Sequence, residues 1–579
     1  MPANSLATVL YDRLGWTEEY LAEINDPTHP VLKDTDAMVA ALHEIRAAGA
    51  KIVVLPDFDT DGVTSGVIAF VGLRQLGFDA AIHFPDYRHG HDITPVAVDE
   101  LAARFPDARA ILTTDAGTNS HAGIARAKSL VGTVLVTDHH QQLPSDTPLA
   151  ADVLVNPFRL DETYPHPGIC GAHVIFQVVK SYAARHDPAQ TPFLDRLALF
   201  AGLGTVADVM PMLHENRDLV RRSNSLARLM YHPDDYRESA LYAIIDHDFR
   251  KRLVCREYAD AFCGFGQLLD ALRDAGSIRD PFIREDLAGF YIAPAVNSAR
   301  RVLSDGANAF RVFVGSDPTA RKAAIDAIIA DNERRKLLTE EWMAELGYWP
   351  QPFAPHVWLS GAPSGFLGLL AGKLCDRHDV PTVVVRDDGR GGFSGSARAP
   401  IGADVIAGFA GLDGVSAIGH AQACGVSADS RDALIVMADA LHAIDGSRER
   451  PDEDAPFPGL VLGDCPDTDA ARPDLEELLA LVDQIQGQAP FGHGFPEPLH
   501  KIAIDPNRAL IDPLGNDGRH TRITCLNTGL KLLWWNSAEE RGRLPRPGDH
   551  RPLVFLVTLG ANTFNNVTRP QAVIRQRLA

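Results

Sequence analysis

From Lys51 to about residue 210, short apolar β-branched runs alternate with helical patterns. The runs are Lys51–Pro56, Ala110–Thr114, Thr133–Thr137 and Val153–Asn156. Strands that are apolar throughout are buried on both faces. Separated by helices, they predict an α/β fold with a doubly wound parallel sheet. A long helix is predicted over Pro318–Leu346. Ser316 or Asp317 can cap it, Pro318 fits its first turn, and no Gly or Pro follows before Gly347. At 1.5 Å per residue it spans roughly 40 Å, a length suited to joining two domains. A second α/β unit follows, with strands at His356–Leu359 and Pro381–Arg386 around a helix at Phe366–His378. The polar, Pro-rich segment Gly446–Gly459 reads as a linker. A helix near Pro473–Gln486 comes next. Short strands at Arg522–Leu526, Leu530–Trp535, Leu553–Leu559 and Ala572–Gln576 then predict a small barrel.

The chain has 579 residues, enough for about four domains of ordinary size. Hydrophobic residues make up 45% and charged residues 23%, which excludes a disordered chain. Seven scattered cysteines form no CxxC pair, so a reducing cytoplasm is expected and a cysteine-based zinc site is not. No apolar run approaches the ~18–20 residues of a membrane span. The N-terminus lacks the basic and apolar regions of an export signal. The formal charge of −21 argues against a polyanionic ligand, but it is uneven. Residues 519–579 hold ten Lys/Arg and three Asp/Glu, a net of +7 that leaves −28 on the rest. A basic C-terminal module can present a local cationic surface.

Candidate chemistry gathers at predicted strand ends. Asp57, Asp59 and Asp61 follow the first strand at alternate positions and can converge on a hard cation. An EF-hand is a poor alternative, because Ile68 stands where its bidentate Glu would be. The DxD nucleophile of aspartate-dependent phosphatases remains open at this point. Asp115 follows the second strand, and Asp138-His139-His140 the third. A lone Asp after a strand is usually a helix cap, and a His pair is usually surface. Here the same topological position recurs, and in open α/β sheets that rim binds ligands. Asp208, beside apolar residues, needs a partner if it is buried. Mixed carboxylates and imidazoles suit Mn²⁺ or Mg²⁺. Five or six of them suit two ions about 3.5–4 Å apart, which activate water against a phosphoester.

Taken together, DxDxDG, the following DAG and Asp138-His139-His140 resemble the DHH phosphoesterase superfamily. The resemblance extends over about 50–579. Asn156-Pro157 with Gly168–Gly171 resembles NP…LCGAG. Gly204–Asp208 with Glu215-Asn216-Arg217 resembles GTVADxxPL…ENR. Pro294–Arg301 resembles PRxNAAGR, Gly395–Arg398 resembles GSxRS, and Gly419-His420 lies in a GGHAxAAG-like loop. Pro490–Pro498 resembles PFGxGNPEP. The order of motifs is that of the superfamily's single-strand-specific 5′→3′ exonucleases. It implies an N-terminal extension (1–45), a DHH catalytic domain (46–235) and a helical region with the long connecting helix (236–346). A DHH-associated α/β domain (347–450), a linker and helix (451–490) and an OB-fold β-barrel (491–579) follow.

The resemblance implies two divalent cations, Mn²⁺ preferred and Mg²⁺ accepted, held by Asp59, Asp61, Asp115, His139, His140 and Asp208. Asp57 and Asp138 support them. Arg301 and His420 would contact the phosphate at the cleavage site. Ser396 and Arg398, with Arg88 helping, would take the 5′-terminal phosphate, as a hydroxyl and guanidinium forks can. Four departures bear on these roles. PRxNAAGR has become PAVNSARR, which loses the first Arg and puts Arg300 where the pattern has Gly. GGH has become Ile418-Gly419-His420. The GYG expected after Arg88 is absent, and WHPG appears as Ala362–Gly365.

The implied function is hydrolysis of single-stranded DNA in recombination or repair. The chain is expected to act as a cytoplasmic monomer, with a single-strand-binding protein or a helicase as partner and no membrane association. Trp534 is the candidate base-stacking residue of the basic module. The alternatives are a DHH phosphodiesterase for short oligonucleotides or cyclic dinucleotides, and a non-catalytic replication scaffold of the same fold. The intact carboxylate and imidazole set weighs against the scaffold.

Overall fold

The computed structural model describes residues 5–28, 30–84, 86, 93–231, 261–278, 284–346, 353–400, 402–448, 458–463, 471–515, 518–545, 548, 551–564 and 567–578. The expected helical stretch over 236–260, most of the expected linker and Arg88 lie outside these residues.

The first sheet has five parallel strands: β1 (Lys51–Pro56), β2 (Ala80–Ile82), β3 (Ala108–Thr114), β4 (Thr133–Thr137) and β5 (Val153–Val155). Their order is β2-β1-β3-β4-β5. Ile52, Val54, Leu112 and Leu135 enter one apolar cluster, and Val53, Leu55, Ile111, Val134 and Val136 another. Both faces are therefore covered, and each such side chain contributes about 1.5–3 kcal/mol. The register decides the site. Pro56 pairs with Thr114, and Thr114 with Thr137, so β1, β3 and β4 end level. The next residue of each strand is Asp57, Asp115 and Asp138.

Helix Pro318–Glu345 runs for 28 residues, capped by the Asp317 side chain, which accepts from Thr319 N. Ala324, Ile325 and Ile328 pack into the first sheet's core. Leu338, Trp342 and Met343 pack near Phe366 and Leu370 of a second unit. One helix thus belongs to two cores.

The second unit holds β6 (Val357–Leu359), β7 (Thr382–Asp387), β8 (Phe393–Arg398), β9 (Val415–His420) and β10 (Ala423–Ala428), in the order β6-β7-β8-β10-β9. Only the β6/β7 pair is parallel. The hydrophobic pattern misses β8, β9 and β10, because they are built from Ser, Gly and Ala and carry little strand propensity.

The third sheet comprises β11 (Val461–Gly463), β12 (His500–Ile504), β13 (Ala509–Leu514), β14 (His520–Cys525), β15 (Lys531–Trp534), β16 (Leu553–Phe564) and β17 (Val567–Arg577). The order is β11-β12-β16-β17-β15-β14-β13. β12 and β13 are consecutive across the turn Pro506–Arg508 and pair with β16 and β14 respectively, so one continuous segment, 500–514, stands at both ends of the order β12-β16-β17-β15-β14-β13, and β11 is added beside β12. The sheet's core takes in helices Leu6–Leu14, Glu18–Ile24 and Leu475–Gln486. Trp16 stacks on Phe495 at 4.8 Å, and Tyr11 Oη donates to Gln484 O at 3.0 Å. The two ends of the chain fold together, which no local pattern reveals. No described helix is long and apolar enough to cross a membrane.

His500 in β12 is fully buried, and neither ring nitrogen makes a hydrogen bond. Burial pushes it down to about 4 from 6.5. Below pH 6.5 the unfolded chain therefore takes a proton that the folded chain refuses, and stability falls with pH down to about 4. The loss is about 3 kcal/mol at 1.36 kcal/mol per unit. His500→Leu should shrink the difference between denaturant midpoints measured at pH 7 and pH 4.5. An unchanged difference would disprove this.

Candidate metal centre and adjoining cleft

Local backbone chemistry fixes each carboxylate. Asp59 caps helix Thr60–Gln75, its Oδ1 accepting from Gly62 N at 3.0 Å. Asp61, in the first turn, is buried. Its oxygens accept from Gly171 N at 2.7 Å and Ala172 N at 3.1 Å, the first amides of helix Gly171–His186. Asp115 sits at φ +62°, a left-handed conformation that aspartate tolerates. Asp208 ends helix Ala198–Ala207. Asp138 is tied down completely. Its Oδ2 accepts from Thr118 N at 2.8 Å, and its Oδ1 from His139 N at 2.7 Å and His140 N at 3.1 Å. His140 Nδ1 lies 2.8 Å from the same Oδ1. With Nδ1 held by Asp138, His140 has Nε2 left for a cation, which would bind there by displacing the ring's second proton.

These groups converge. His139 Nε2 lies 3.2 Å from Asp115 Oδ1, 3.5 Å from Asp208 Oδ2 and 3.7 Å from Asp61 Oδ2. Three sets have ligand atoms within 4.8 Å of one another: Asp115, His139 and His140; Asp61, His139 and Asp208; Asp57, Asp59 and Asp115. All six residues expected to hold cations are therefore together, with Asp57 and Asp138 beside them.

Electrostatics shows what the cluster lacks. Burial, then Asp59, pushes Asp61 up to about 6, against the Ala172 and Gly171 amides. Burial, then Asp61, Asp59, Asp57 and Asp208, pushes Asp115 well above the carboxylate range. Burial, then Asp61 and Asp59, does the same to Asp208. Burial opposes charge on His140, but Asp138 outweighs it, and the ring is pushed up to about 10. Asp115 Oδ1 and Asp208 Oδ2 are buried and accept no hydrogen bond. Crowded buried carboxylates with orphaned oxygens need cations. Oxygen donors with two imidazoles fit Mn²⁺ or Mg²⁺.

Glycine makes this density possible. A Cβ on Gly171 would stand 2.3 Å from Asp115 Oδ1, and one on Gly204 2.3 Å from Asp61 Oδ1. Several supporting residues carry no sequence signal of their own. Thr118 and Asn156 are examples: Asn156 Nδ2 donates to Thr118 Oγ1 at 2.7 Å and to His140 O at 2.8 Å.

A cleft of 220 Å³ opens from Asp59 toward the second unit, lined by Arg300, Arg301, Ser396 and Arg398 among others. Burial, then Arg335, Arg300 and Arg398, pulls Arg301 down to about 10. Burial likewise lowers Arg398. Arg335, from the connecting helix, is a member of this cationic group that the motifs do not mark. Arg300 lies over the Phe58 ring at 4.8 Å. Like-charged guanidiniums crowded beside a cleft want an anion. His420 ends β9, but its side chain lies outside the described residues.

The register turns Trp534 inward. It shares a strand face with Leu532, which is fully buried, and its ring meets Phe555 edge-on at 5.6 Å. The exposed indole is Trp535, at 49%. The expected stacking role therefore fits Trp535 better than Trp534. Several basic residues of the module are tied to carboxylates, Arg522 to Asp512 and Arg575 to Glu497 among them. Lys531 and Arg569 are exposed. Lys531 pairs with Gln571, two residues from Arg569, so all three share one sheet face.

The family model described as DHH family, N-terminal domain, matches residues 51–205, and the one described as RecJ OB domain matches 469–576. The single-stranded-DNA-specific exonuclease RecJ of Salmonella typhimurium is 28% identical over 503 residues, covering 81% of this chain and 77% of that protein. The Escherichia coli protein of the same name is 27% identical over 494 residues, with 81% and 77% covered. Among solved structures, RecJ in complex with Mn²⁺ from Thermus thermophilus has the same fold. It superposes with a TM-score of 0.69 at 23% identity, covering 99% of this chain and 76% of that one.

Proposed function

We infer that this chain, which carries a DHH family domain and a RecJ OB domain, is a single-stranded-DNA-specific 5′→3′ exonuclease using divalent cations, Mn²⁺ or Mg²⁺. The observation that carries the reading is the buried carboxylate cluster, with its orphaned oxygens, opening directly into an arginine-lined cleft. Asp59, Asp61, Asp115, His139, His140 and Asp208 hold the cations, and Asp138 fixes the His140 ring. Bound there, the cations supply an activated water and neutralise charge on the scissile phosphate. Arg301 holds that phosphate. Ser396 and Arg398 take the 5′-terminal phosphate of a strand cut one nucleotide from its end. His420 and Arg88 are assigned to phosphate on the resemblance alone. The chain acts in the cytoplasm as a monomer, and a single-strand-binding protein or a helicase is the expected partner.

The test is a time course on 5′-phosphorylated and 3′-phosphorylated single strands and matched RNA, with Mn²⁺ and with chelator. Shortening of DNA from its 5′ end, lost with chelator, is expected. Inertness on long strands with turnover of dinucleotides would move the chain to the short-oligonucleotide alternative.

Strand affinity is assigned to the outer face bearing Lys531 and Arg569. Lys531→Glu with Arg569→Glu should lower the salt slope of binding by about 2, near one per phosphate contact. Removing 519–579 would be a poorer test, because it takes β14 to β17 out of a shared core. An unchanged slope in a fluorescence-anisotropy titration would remove this face from the binding path.

A further inference from the structure

We propose that a second cleft, continuous with the arginine-lined one, is a subsite for one further nucleotide at the 5′ end, so that the chain can cut at the second internucleotide linkage and release a dinucleotide. The proposal rests on the exonuclease reading. The two clefts share Arg300, Ser364, Gly365 and Ser396. The second has a volume of 640 Å³ against 220 Å³ for the first. That is more than a phosphate group needs, and it lies within the ~300–1,000 Å³ typical of small-molecule sites.

Strand register builds its floor. Gly425 of β10 stands opposite Ser396 of β8 on one side and Ile418 of β9 on the other. Ser427 stands opposite Ser394 and Ser416. Directly opposed residues share a sheet face. The floor is therefore two rows, Ser396–Gly425–Ile418 and Ser394–Ser427–Ser416. The other face of the same strands, with Ala397, Cys424 and Val426, is the buried core. Hydroxyls on this floor can bond a sugar or phosphate. A Cβ on Gly425 would come within 4 Å of Ile418 O alone, at 3.8 Å, so packing does not demand glycine there. The glycine keeps the floor low.

The rim is apolar. Ile418 is 74% exposed and Leu303, on the facing wall, 65%. Two large aliphatic side chains left in water at the mouth of a polar cleft offer a surface to a base. Arg300 stands where the clefts join, and no Asp or Glu is among the described residues lining the second one, in a chain of net charge −21. Arg300 and Ile418 also each replace a glycine of the superfamily pattern. An apolar rim, a hydroxyl floor and one guanidinium at the phosphate end match a nucleotide in order.

The test uses the full chain with Mn²⁺ and two 5′-phosphorylated strands. One is unmodified. The other has a phosphorothioate at its first internucleotide linkage, which keeps the charge and resists hydrolysis. The wild type should release the intact thio-linked dinucleotide. Ile418→Trp, whose indole fills the subsite, should lower that release about tenfold while the unmodified strand shortens at the wild-type rate. Gly425→Val should act in the same direction and guards against a folding defect in the first variant. A wild type that stalls on the modified strand while degrading the unmodified one would overturn the subsite. So would release unaffected by both substitutions. Inertness on the unmodified strand would instead sink the exonuclease reading on which the proposal rests.

Discussion

Asp115→Asn should lower Mn²⁺-dependent strand cleavage by about 10³-fold or more, some 4 kcal/mol of barrier, while leaving the fold intact. Asp115 belongs to two of the three ligand sets, one with His139 and His140 and one with Asp57 and Asp59. It is the carboxylate that can serve both. Asparagine has the same shape and tolerates the left-handed φ of +62° found there, so the backbone has no reason to move. It lacks the charge. In cation-free protein the substitution should raise the melting temperature, because one of several mutually repelling buried carboxylates is gone. With saturating Mn²⁺ the order should reverse, since the wild type gains binding energy that the variant cannot. Activity falling while cation-free stability rises separates loss of a ligand from loss of fold. Wild-type cleavage by Asp115→Asn would eliminate this centre.

How much of this is legible in sequence depends on how local the cause is. The three strand ends can be read because apolar runs and the polar residues after them are adjacent in the chain. Their level alignment is inferred there from topology, and the Pro56–Thr114–Thr137 pairing supplies it in three dimensions. β2 has three residues and escapes any periodicity test. β8 to β10 escape because a nucleotide-sized cleft favours Ser and Gly on one face, and those residues do not look like strand. Trp534 and Trp535 are indistinguishable in composition, and only register shows which faces the core. The N-terminal helices could not be assigned to the third sheet, since their partners Phe491 and Phe495 lie more than 450 residues away. The Thr118–Asn156 brace behind His140 is likewise a product of the fold.

Arg217→Ala should destabilise the protein by about 3–5 kcal/mol, the range for emptying a buried charged hub. Arg217 is fully buried. It donates to Asn25 Oδ1, Met212 O, Pro490 O and Gln488 O, and its guanidinium covers the Phe495 ring at 4.2 Å. Burial, then Arg221, pulls it down to about 10, so the joint tolerates the charge only because the carbonyls accept from it. Those acceptors come from the N-terminal helices, the catalytic unit and the lead into the third sheet. Truncation strands three carbonyls at about 1–3 kcal/mol each, less what water recovers. Arg217→Lys keeps the charge but not the planar fork, and should fall between wild type and alanine. The consequence for function is directional. Met212, four residues beyond Asp208, also donates its amide to His493 O at 2.7 Å, so the joint ties the segment of a proposed cation ligand to the lead into the third sheet. Loosening it should cost long strands more than trinucleotides, because the short substrate needs only the catalytic unit. Limited proteolysis should then cut near residue 488 in the alanine variant and not in the wild type. Equal loss on both substrates, with no new cleavage, would mean that Arg217 supports the catalytic unit alone.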